Sequence, residues 1–416
     1  MRLRACGFFC EVMITRFLLF LRLWVGSMMA AAAAPVPAPV YPMVPMFHRW
    51  DYEKAVERIA RAADSGARRV SFTVLLLSEL EPGFKVRNFG AAVEVAKPDG
   101  TKEVVFRAMT EESREEMGVA LRGAFAEAAR RGLEINVLPQ IDASGIITEW
   151  RNFFDFDPTA KLGGFSYETA MLETVVEALE AAVPPDREVE MTLEGEMGRS
   201  LFTFPDAWRA ILERLKARGK LKAFRVGISA NYEGAAGKVV PDAAQQEGMR
   251  RLIAACDFIG LSCYAKTSVP PVVADFTDCV DTFCGEFAKA GCPIPEDKPL
   301  RFTELGHGGG GFDADWKLMV PAPTVERIGK AAFFGTDKPD KNPWTTPERI
   351  AYRRGFYEAA LMFLAIQPSR WRVETAYLWS FGSWDVHGIH DPVFADPQIA
   401  AALGKHNEAI RPSAKK

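Results

Sequence analysis

Apolar strand patterns and amphipathic helix patterns alternate eight times between Tyr41 and Ile410, and this alternation constrains the fold more than any other feature. Runs rich in Val, Ile, Leu and Phe are each followed by a segment with apolar residues at helical spacing. Eight such units predict an α/β fold consisting of a single (β/α)8 TIM barrel. We expect its strands at residues 40–47, 69–77, 133–141, 189–193, 224–230, 258–263, 300–303 and 374–379.

Two of the predicted connections are long, and they follow the second and the seventh strands. Residues 79–106 are polar and contain a Pro-Asp-Gly-Thr turn, which predicts an inserted hairpin. Residues 306–343 are rich in Gly and Pro, and the four consecutive glycines at 308–311 predict a flexible loop on the substrate side. The rival architecture is an open doubly wound sheet. It is expected to carry a Gly-rich phosphate loop after its first strand, which this sequence lacks.

Charge and composition bear on the class of partner. The chain has 416 residues and a formal net charge of −3, and its acidic and basic residues are interspersed. A nucleic-acid-binding protein usually has a basic face, so we expect no nucleic-acid partner. Aromatic residues make up 11% of the chain, and flat aromatic faces suit sugars as well as they suit a large core. Composition alone therefore supports a carbohydrate partner only weakly, and we expect a monomer.

The first residues have the pattern of an export leader. Three arginines precede an apolar stretch at residues 17–29, and a run of five alanines ends at residue 34. This order is typical of a secretory signal peptide. We therefore expect residues 1–34 to be a signal peptide and residues 35–416 to be the barrel domain, in the periplasm or secreted. A retained membrane anchor is the alternative, but the stretch is short and contains Arg22, so no stable membrane span is expected after cleavage.

The cysteines bear on whether the chain could form a disulfide or bind zinc. Of seven cysteines, two lie in the leader and five between residues 256 and 292, so at least one thiol of the mature chain stays free. Cys279, Cys284 and Cys292 form a cluster in which an oxidising compartment would allow two to pair. There is no Cys-x-x-Cys pair, which argues against a structural zinc site.

Two glutamates lie where the fourth and seventh predicted strands run into glycine. They are Glu196 in Met-Thr-Leu-Glu-Gly-Glu-Met and Glu304 in Leu-Arg-Phe-Thr-Glu-Leu-Gly. The carboxyl ends of barrel strands form the rim where catalysis occurs, and two facing carboxylates are the minimum requirement for glycoside hydrolysis. A rim salt bridge would explain either glutamate alone, whereas the pair favours catalysis. Glu194 competes with Glu196, because residues two apart on an extended strand point the same way; Glu196 is preferred because it lies nearer the rim.

Several short motifs occur in order from about Trp150 to Asp391. They are Trp150-Arg151, Leu193-Glu-Gly-Glu-Met197, Ile228-Ser-Ala-Asn-Tyr232, Asp257-Phe-Ile-Gly-Leu-Ser-Cys-Tyr264, Phe302-Thr-Glu-Leu-Gly306 and Leu378-Trp379. Together they resemble clan A of the glycoside hydrolases, and most closely glycoside hydrolase family 113, whose known members are β-mannanases. The chain departs from the clan in its long loops and at Gly195, since most members carry Asn directly before the acid/base residue.

The resemblance implies a retaining β-glycoside hydrolase that acts on a β-linked polysaccharide or oligosaccharide, mannan- or glucan-like, without a cofactor. Glu304 would be the nucleophile and Glu196 the acid/base. Tyr264 would hydrogen-bond Glu304, and Trp379 would form the floor under the reacting sugar; the alternative for both is a packing role at the rim. The other implied substrate-binding or carboxylate-bracing residues are Trp150, Arg151 and Asn231.

The histidines raise a different possibility. His387-Gly-Ile-His-Asp has the spacing of metal ligands, and His307 follows the seventh strand. Barrel metallohydrolases usually carry a His-x-His on the first strand, where this chain offers only His48. We therefore expect no metal, and we expect His307 and His387 to line the substrate site. Two other functions stay open: a non-catalytic polysaccharide-binding barrel and a metal-dependent barrel hydrolase. Two close carboxylates repel each other without benefit to a pure binding site, which favours the enzyme.

Overall fold

The computed structural model describes residues 36–144, 149–312 and 319–410. The predicted leader at residues 1–34 lies outside the described residues. The strands are β1 (Val40–Met46), β2 (Arg69–Glu81), β3 (Lys85–Ala96), β4 (Lys102–Ala108), β5 (Glu134–Ser144), β6 (Glu188–Thr192), β7 (Ala223–Asn231), β8 (Ile259–Cys263), β9 (Leu300–Leu305), β10 (Gly310–Phe312), β11 (Met319–Pro321) and β12 (Val373–Leu378).

Eight of these strands form a closed parallel barrel. Around the barrel the order is β1, β2, β5, β6, β7, β8, β9 and β12, and β1 pairs in parallel with both β2 and β12. The longest ladder joins β2 to β5 and runs from Arg69 opposite Glu134 to Glu79 opposite Ser144. The predicted α/β fold with eight parallel strands is therefore confirmed. All eight strands lie where the sequence predicts them, although β2 and β5 continue several residues further.

Helices cover the outside of the barrel and pack their apolar faces against the strands. Phe125 contacts Phe72 of β2 edge to face, and Phe363 stacks on Phe302 of β9. The helix that begins at Glu111 is capped, because the Thr110 side chain accepts from the backbone N–H of Ser113. The helices are α1 (Arg49–Glu53), α2 (Ala55–Asp64), α3 (Glu111–Arg130), α4 (Glu173–Ala182), α5 (Gly198–Thr203), α6 (Pro205–Ala217), α7 (Ala243–Ala255), α8 (Val273–Lys289), α9 (Val325–Lys330), α10 (Pro347–Ile366) and α11 (Pro397–Ala409).

The connections after β2 and β9 carry structure of their own. After β2, the antiparallel strands β3 and β4 form a hairpin that extends the sheet from β2, as the turn signal predicts. After β9 come the small antiparallel pair β10–β11 and the short helix α9. Both insertions follow the carboxyl ends of their strands, so they belong to the rim that also holds the candidate site.

The glycine run at 308–311 differs from the predicted flexible loop. Gly308 and Gly309 are buried, and a Cβ on Gly308 would lie 2.1 Å from the backbone oxygen of Phe334. Gly309 has a φ of +76°, and a Cβ there would lie 2.5 Å from the Trp344 ring. Glycine is required here for close packing and for a left-handed backbone, so these residues form a fixed support under the loop.

The amino-terminal end of the barrel contains a buried charge network that the sequence did not predict. Glu190 has no exposed surface, and it forms ion pairs with Arg69 at 3.0 Å, Arg301 at 3.1 Å and Arg225 at 3.3 Å. Burial would raise the pKa of Glu190, but the Arg301 and Arg69 charges outweigh it and lower the pKa to about 2. Tyr377 also donates a hydrogen bond to Glu190. This network closes the end of the barrel opposite the rim.

The five cysteines of the described chain are free and buried. The closest contact is between the sulfurs of Cys263 and Cys279, 3.6 Å apart, and not within the predicted cluster of Cys279, Cys284 and Cys292. Across the described ranges, no helix is both long enough and apolar enough to cross a membrane.

Candidate active site

Residues from six barrel strands meet at the carboxyl-terminal rim. Glu304 belongs to β9 and Asn231 is the last residue of β7, while Glu196, Tyr264 and Trp379 follow β6, β8 and β12. Gln140 lies in β5, where it pairs with Leu75 of β2. Because the strands are parallel, their carboxyl ends open onto the same surface, and side chains distant in sequence come together there.

Glu304 is buried and receives a hydrogen bond on each carboxylate oxygen. Its exposed fraction is 2%, the Tyr264 hydroxyl donates to Oε2 at 2.6 Å, and the Gln140 side-chain amide donates to Oε1 at 2.5 Å. The contact with Tyr264 is the one that the resemblance implies. Two donors fix the orientation of the carboxylate and stabilise its ionised form.

Glu196 is held by a separate set of three donors. Its Oε1 accepts from Asn231 Nδ2 at 2.9 Å, and its Oε2 accepts from Trp150 Nε1 at 3.0 Å and from the Arg151 guanidinium at 3.3 Å. The other guanidinium nitrogens of Arg151 donate to Asp142. All three side chains therefore contact the carboxylate of Glu196 directly. Of the two roles expected for them, bracing a carboxylate or binding the sugar, these contacts correspond to the first.

The backbone at Glu196 explains why this side chain reaches the rim. Strand β6 ends at Thr192, and Glu196 has a φ of +63°, in the left-handed region that non-glycine residues seldom adopt. Its N–H donates to the Ser229 carbonyl oxygen at 2.9 Å, which holds this conformation in place. Strained backbone of this kind is typical of functional positions.

Glu194, the competitor of Glu196, has a different environment. It has no exposed surface, and its two oxygens accept from the backbone N–H groups of Ser229 and Met197 at 2.8 and 2.7 Å. Burial raises its pKa to about 8. Because the chain leaves the extended conformation after Thr192, Glu194 and Glu196 have separate partners, and Glu194 fixes the turn that presents Glu196.

The two rim glutamates interact electrostatically. Burial, and after it the negative charge of Glu196, raises the pKa of Glu304 to about 8, against the opposing effects of Arg151, Tyr264 and Gln140. Glu304 therefore loses its proton near pH 8. Two coupled carboxyl groups share that proton as a unit.

Aromatic side chains flank the carboxylates. The Trp379 ring is half-buried and stacks on Phe47 with 5.8 Å between ring centroids, and its backbone N–H donates to Leu305 beside Glu304. Trp150 is 36% exposed, so part of its ring surface faces solvent next to Glu196. These two indoles provide the flat apolar surface that a sugar ring needs.

The two histidines lie in different surroundings from the other predicted site residues. His307 has no exposed surface and is packed edge to face against Trp344, Tyr352 and Phe356. Burial and the nearby Arg353 charge lower its pKa to about 3. Contact of His307 with a sugar would require these rings to move apart. His387 is half-buried, burial lowers its pKa to about 4, and among the described residues no hydrogen bond links it to Glu196 or Glu304.

Two features of the described residues bear on other kinds of site. No group of three or more His, Cys, Asp and Glu side chains within the described ranges is arranged to hold a metal ion. A cavity of about 660 Å³ lies between α1, β2, β3 and α3, with Phe47 in its wall, and neither Glu196 nor Glu304 lines it. Its lining is apolar with acidic residues of α1 and α3, so it lacks the paired rim carboxylates that glycoside hydrolysis requires.

Gln140 and Asp142 belong to the site but were not predicted from the sequence. Gln140 contacts Glu304, and Asp142 binds the guanidinium of Arg151. The signal for Gln140 was a polar residue within the otherwise apolar run from Val137 to Ile141. A single polar residue in a strand is compatible with either face of a barrel, so only the folded structure identifies its partner.

Comparison with known proteins gives a match in structure alone. No family model matches the sequence, and the search of curated proteins finds no match. A glycoside hydrolase family 113 β-mannanase from Alicyclobacillus acidocaldarius aligns over 91% of this chain and 99% of its own, with 15% identity and a TM-score of 0.51. A second family 113 β-1,4-mannanase aligns over 90% and 99%, with 12% identity and a TM-score of 0.49.

A GH5_18 protein from Streptomyces cattleya, in complex with GlcNAc, aligns over 92% of this chain and 82% of its own, with 14% identity and a TM-score of 0.42. At such identities, the likeness to the Alicyclobacillus protein shows a shared fold. The expected resemblance to clan A, and to family 113 in particular, is confirmed at the level of the fold.

Proposed function

We propose that this protein is a retaining β-glycoside hydrolase. The observation that carries the proposal is the pair of buried carboxylates, Glu196 and Glu304, which lie at one barrel rim, interact electrostatically and each have their own hydrogen-bond donors. In a retaining enzyme the two carboxyl groups are about 5–5.5 Å apart, and one attacks the sugar while the other protonates the leaving oxygen.

Glu304 is the nucleophile in this proposal. Its carboxylate attacks the anomeric carbon, the glycosidic C–O bond breaks, and Glu196 gives its proton to the departing oxygen. Water then attacks the glycosyl ester, with Glu196 as the base, and releases Glu304. The donors Tyr264 and Gln140 support the ionised nucleophile. The active form of the pair carries one proton, located on Glu196.

The substrate that we propose is a β-linked polysaccharide or oligosaccharide, mannan- or glucan-like. The half-buried Trp379 and the partly exposed Trp150 support this choice, since they provide ring surfaces on either side of the carboxylates. The printed description of the Alicyclobacillus protein as a β-mannanase makes mannan the first substrate to test. Arg151 and Asn231 act by bracing Glu196, the reaction calls for no cofactor, and we propose that the protein acts as a monomer.

The test is a reducing-sugar assay with β-mannan, β-glucan and related β-linked polymers. We expect turnover on at least one polymer and at least a 10⁴-fold loss in Glu304→Gln, about the upper range for loss of one catalytic group. Glu233→Gln is a matched control, because Glu233 is exposed and pairs with the exposed Lys266. Full activity in Glu304→Gln would remove this residue from the mechanism. Binding of a polymer without cleavage would favour the non-catalytic barrel.

We also propose that residues 1–34 are a signal peptide, that residues 35–416 form the catalytic domain, and that the product is periplasmic or secreted. The order of basic residues, apolar stretch and alanine run supports this proposal. Amino-terminal sequencing of the protein purified from its natural host is expected to begin near residue 35. A mature chain that keeps its first residues would contradict cleavage.

A further inference from the structure

Gln140 is buried, and within the described part of the chain only the nitrogen of its side-chain amide has a hydrogen-bond partner. Its exposed fraction is 1%, and its Nε2 donates to Glu304 Oε1 at 2.5 Å. Its Oε1 is buried and has no hydrogen-bond partner among the described residues. A buried acceptor without a partner is unfavourable, so such an atom calls for an explanation.

The neighbouring Gly195 leaves room for this side chain. A Cβ at position 195 would lie 2.9 Å from Gln140 Cγ and 3.2 Å from Gln140 Nε2. The backbone of Gly195 is not in the left-handed region, so conformation alone does not require glycine there. The Gln140 amide thus occupies the space that a side chain directly before Glu196 would fill, the position where most clan A members carry Asn.

We propose that Gln140 contacts the substrate, holding Glu304 with Nε2 and accepting with Oε1 from the 2-hydroxyl of the sugar under attack. This inference rests on the proposed function. The 2-hydroxyl is attached to the carbon next to the anomeric carbon that Glu304 attacks, and Gln140 donates a hydrogen bond to Glu304. Hydrogen bonds to the 2-hydroxyl strengthen in the transition state of glycoside hydrolysis. A single amide therefore orients the nucleophile and recognises the sugar, and Gly195 is its steric complement.

The first test compares an activated aryl β-glycoside with its 2-deoxy analogue in wild-type enzyme and in Gln140→Met, which keeps the volume but removes the amide. We expect kcat/KM of Gln140→Met to fall about 10- to 100-fold on the parent substrate, as for loss of a hydrogen bond to a charged group. On the 2-deoxy substrate the difference between the two enzymes should shrink at least several-fold. An unchanged ratio would overturn the sugar contact.

The second test is a rescue. Gly195→Asn alone should be destabilised and weakly active, because the new Cβ is placed against Gln140. In Gln140→Ala/Gly195→Asn that space is free, and the asparagine amide enters it from the neighbouring strand. We expect the double variant to recover at least tenfold in kcat/KM over Gln140→Ala. A double variant no better than Gln140→Ala would contradict the shared space. This test also covers the case in which Gln140→Met fails to fold.

A measurement without turnover separates this inference from the proposed function. In protein labelled with ¹³C at the Glu side-chain carboxyl, the Glu304 resonance, assigned with Glu304→Gln, should titrate at higher pH in Gln140→Met, because the ionised form loses a donor. An unchanged titration would overturn the positioning role. If the wild type cleaves no β-glycoside, the proposed function and the sugar contact fail together, whereas the titration still decides whether Gln140 positions Glu304.

Discussion

Replacing Glu196 by Gln is expected to change the shape of the pH–activity profile as well as its height. The wild-type pair is active with one proton, and the last proton leaves near pH 8, because the pKa of Glu304 is raised to about 8 by burial and by the Glu196 charge. The wild-type kcat/KM should therefore decline above about pH 8. In Glu196→Gln only Glu304 titrates, so this decline should disappear and activity should rise with pH to a plateau.

The expected position of the remaining ionisation follows from the charge that is removed. Raising a carboxyl pKa from 4.5 to about 8 corresponds to about 5 kcal/mol in favour of the protonated form. At the separation typical of retaining enzymes, about 5.5 Å, and an effective dielectric constant of about 20, a unit charge contributes about 3 kcal/mol. Removing it should lower the Glu304 pKa by about two pH units. Burial remains, so the value should stay above that of a free carboxyl.

The assay is kcat/KM from pH 4 to 10 on an activated aryl β-glycoside. The aryl group of such a substrate departs with little protonation. Glu196→Gln therefore retains measurable activity in the glycosylation step, which is the step that kcat/KM reports. Glu233→Gln should keep the wild-type profile, since it removes an exposed carboxylate whose pairing with Lys266 is solvent-screened. A decline above pH 8 that survives in Glu196→Gln would refute the assignment of this proton to the Glu196–Glu304 pair.

Two further substitutions test the surroundings of the site. Tyr264→Phe removes a donor to the nucleophile, and kcat/KM should fall about 10- to 100-fold with little change in thermal stability, measured by steady-state kinetics and calorimetry; wild-type kinetics would contradict the role given to Tyr264. Glu190→Gln removes the carboxylate that three buried or partly buried arginines share, and it should lower the free energy of unfolding by about 3–5 kcal/mol in urea titrations, whereas the exposed Glu296→Gln should change it little. Because the Glu190 pKa is lowered to about 2, its stabilisation is complete above pH 4.5 and is lost as pH falls toward 2, so an acid dependence of stability identical in Glu190→Gln and wild type would contradict this account.

The sequence predicted the barrel because each strand and helix has its own local pattern. The run Val74–Leu77 is apolar on both faces, as expected for a strand buried between a barrel interior and a helix layer. The position of Glu196 and Glu304 at strand ends followed from the same patterns, since strand ends at one rim meet whatever their separation in sequence.

What the sequence did not predict depends on contacts between distant segments. Gln140 and Glu304 are 164 residues apart, and their contact requires the closed barrel. The left-handed backbone of Glu196 separates it from Glu194, whereas alternation along an extended strand would place both on one face. His307 has the polarity of a site residue, but the aromatic side chains of α10 and its neighbourhood enclose it. In each case tertiary packing outweighed the local pattern.

The stereochemistry of hydrolysis tests the central claim most directly. Proton NMR, recorded during the first minutes of cleavage of a β-linked substrate before mutarotation, distinguishes the two anomers of the product. Attack by Glu304 followed by attack of water inverts the anomeric carbon twice, so the account predicts that the first-formed product is the β-anomer. A first-formed α-anomer would mean that water attacks the sugar directly, and it would contradict the role assigned to Glu304.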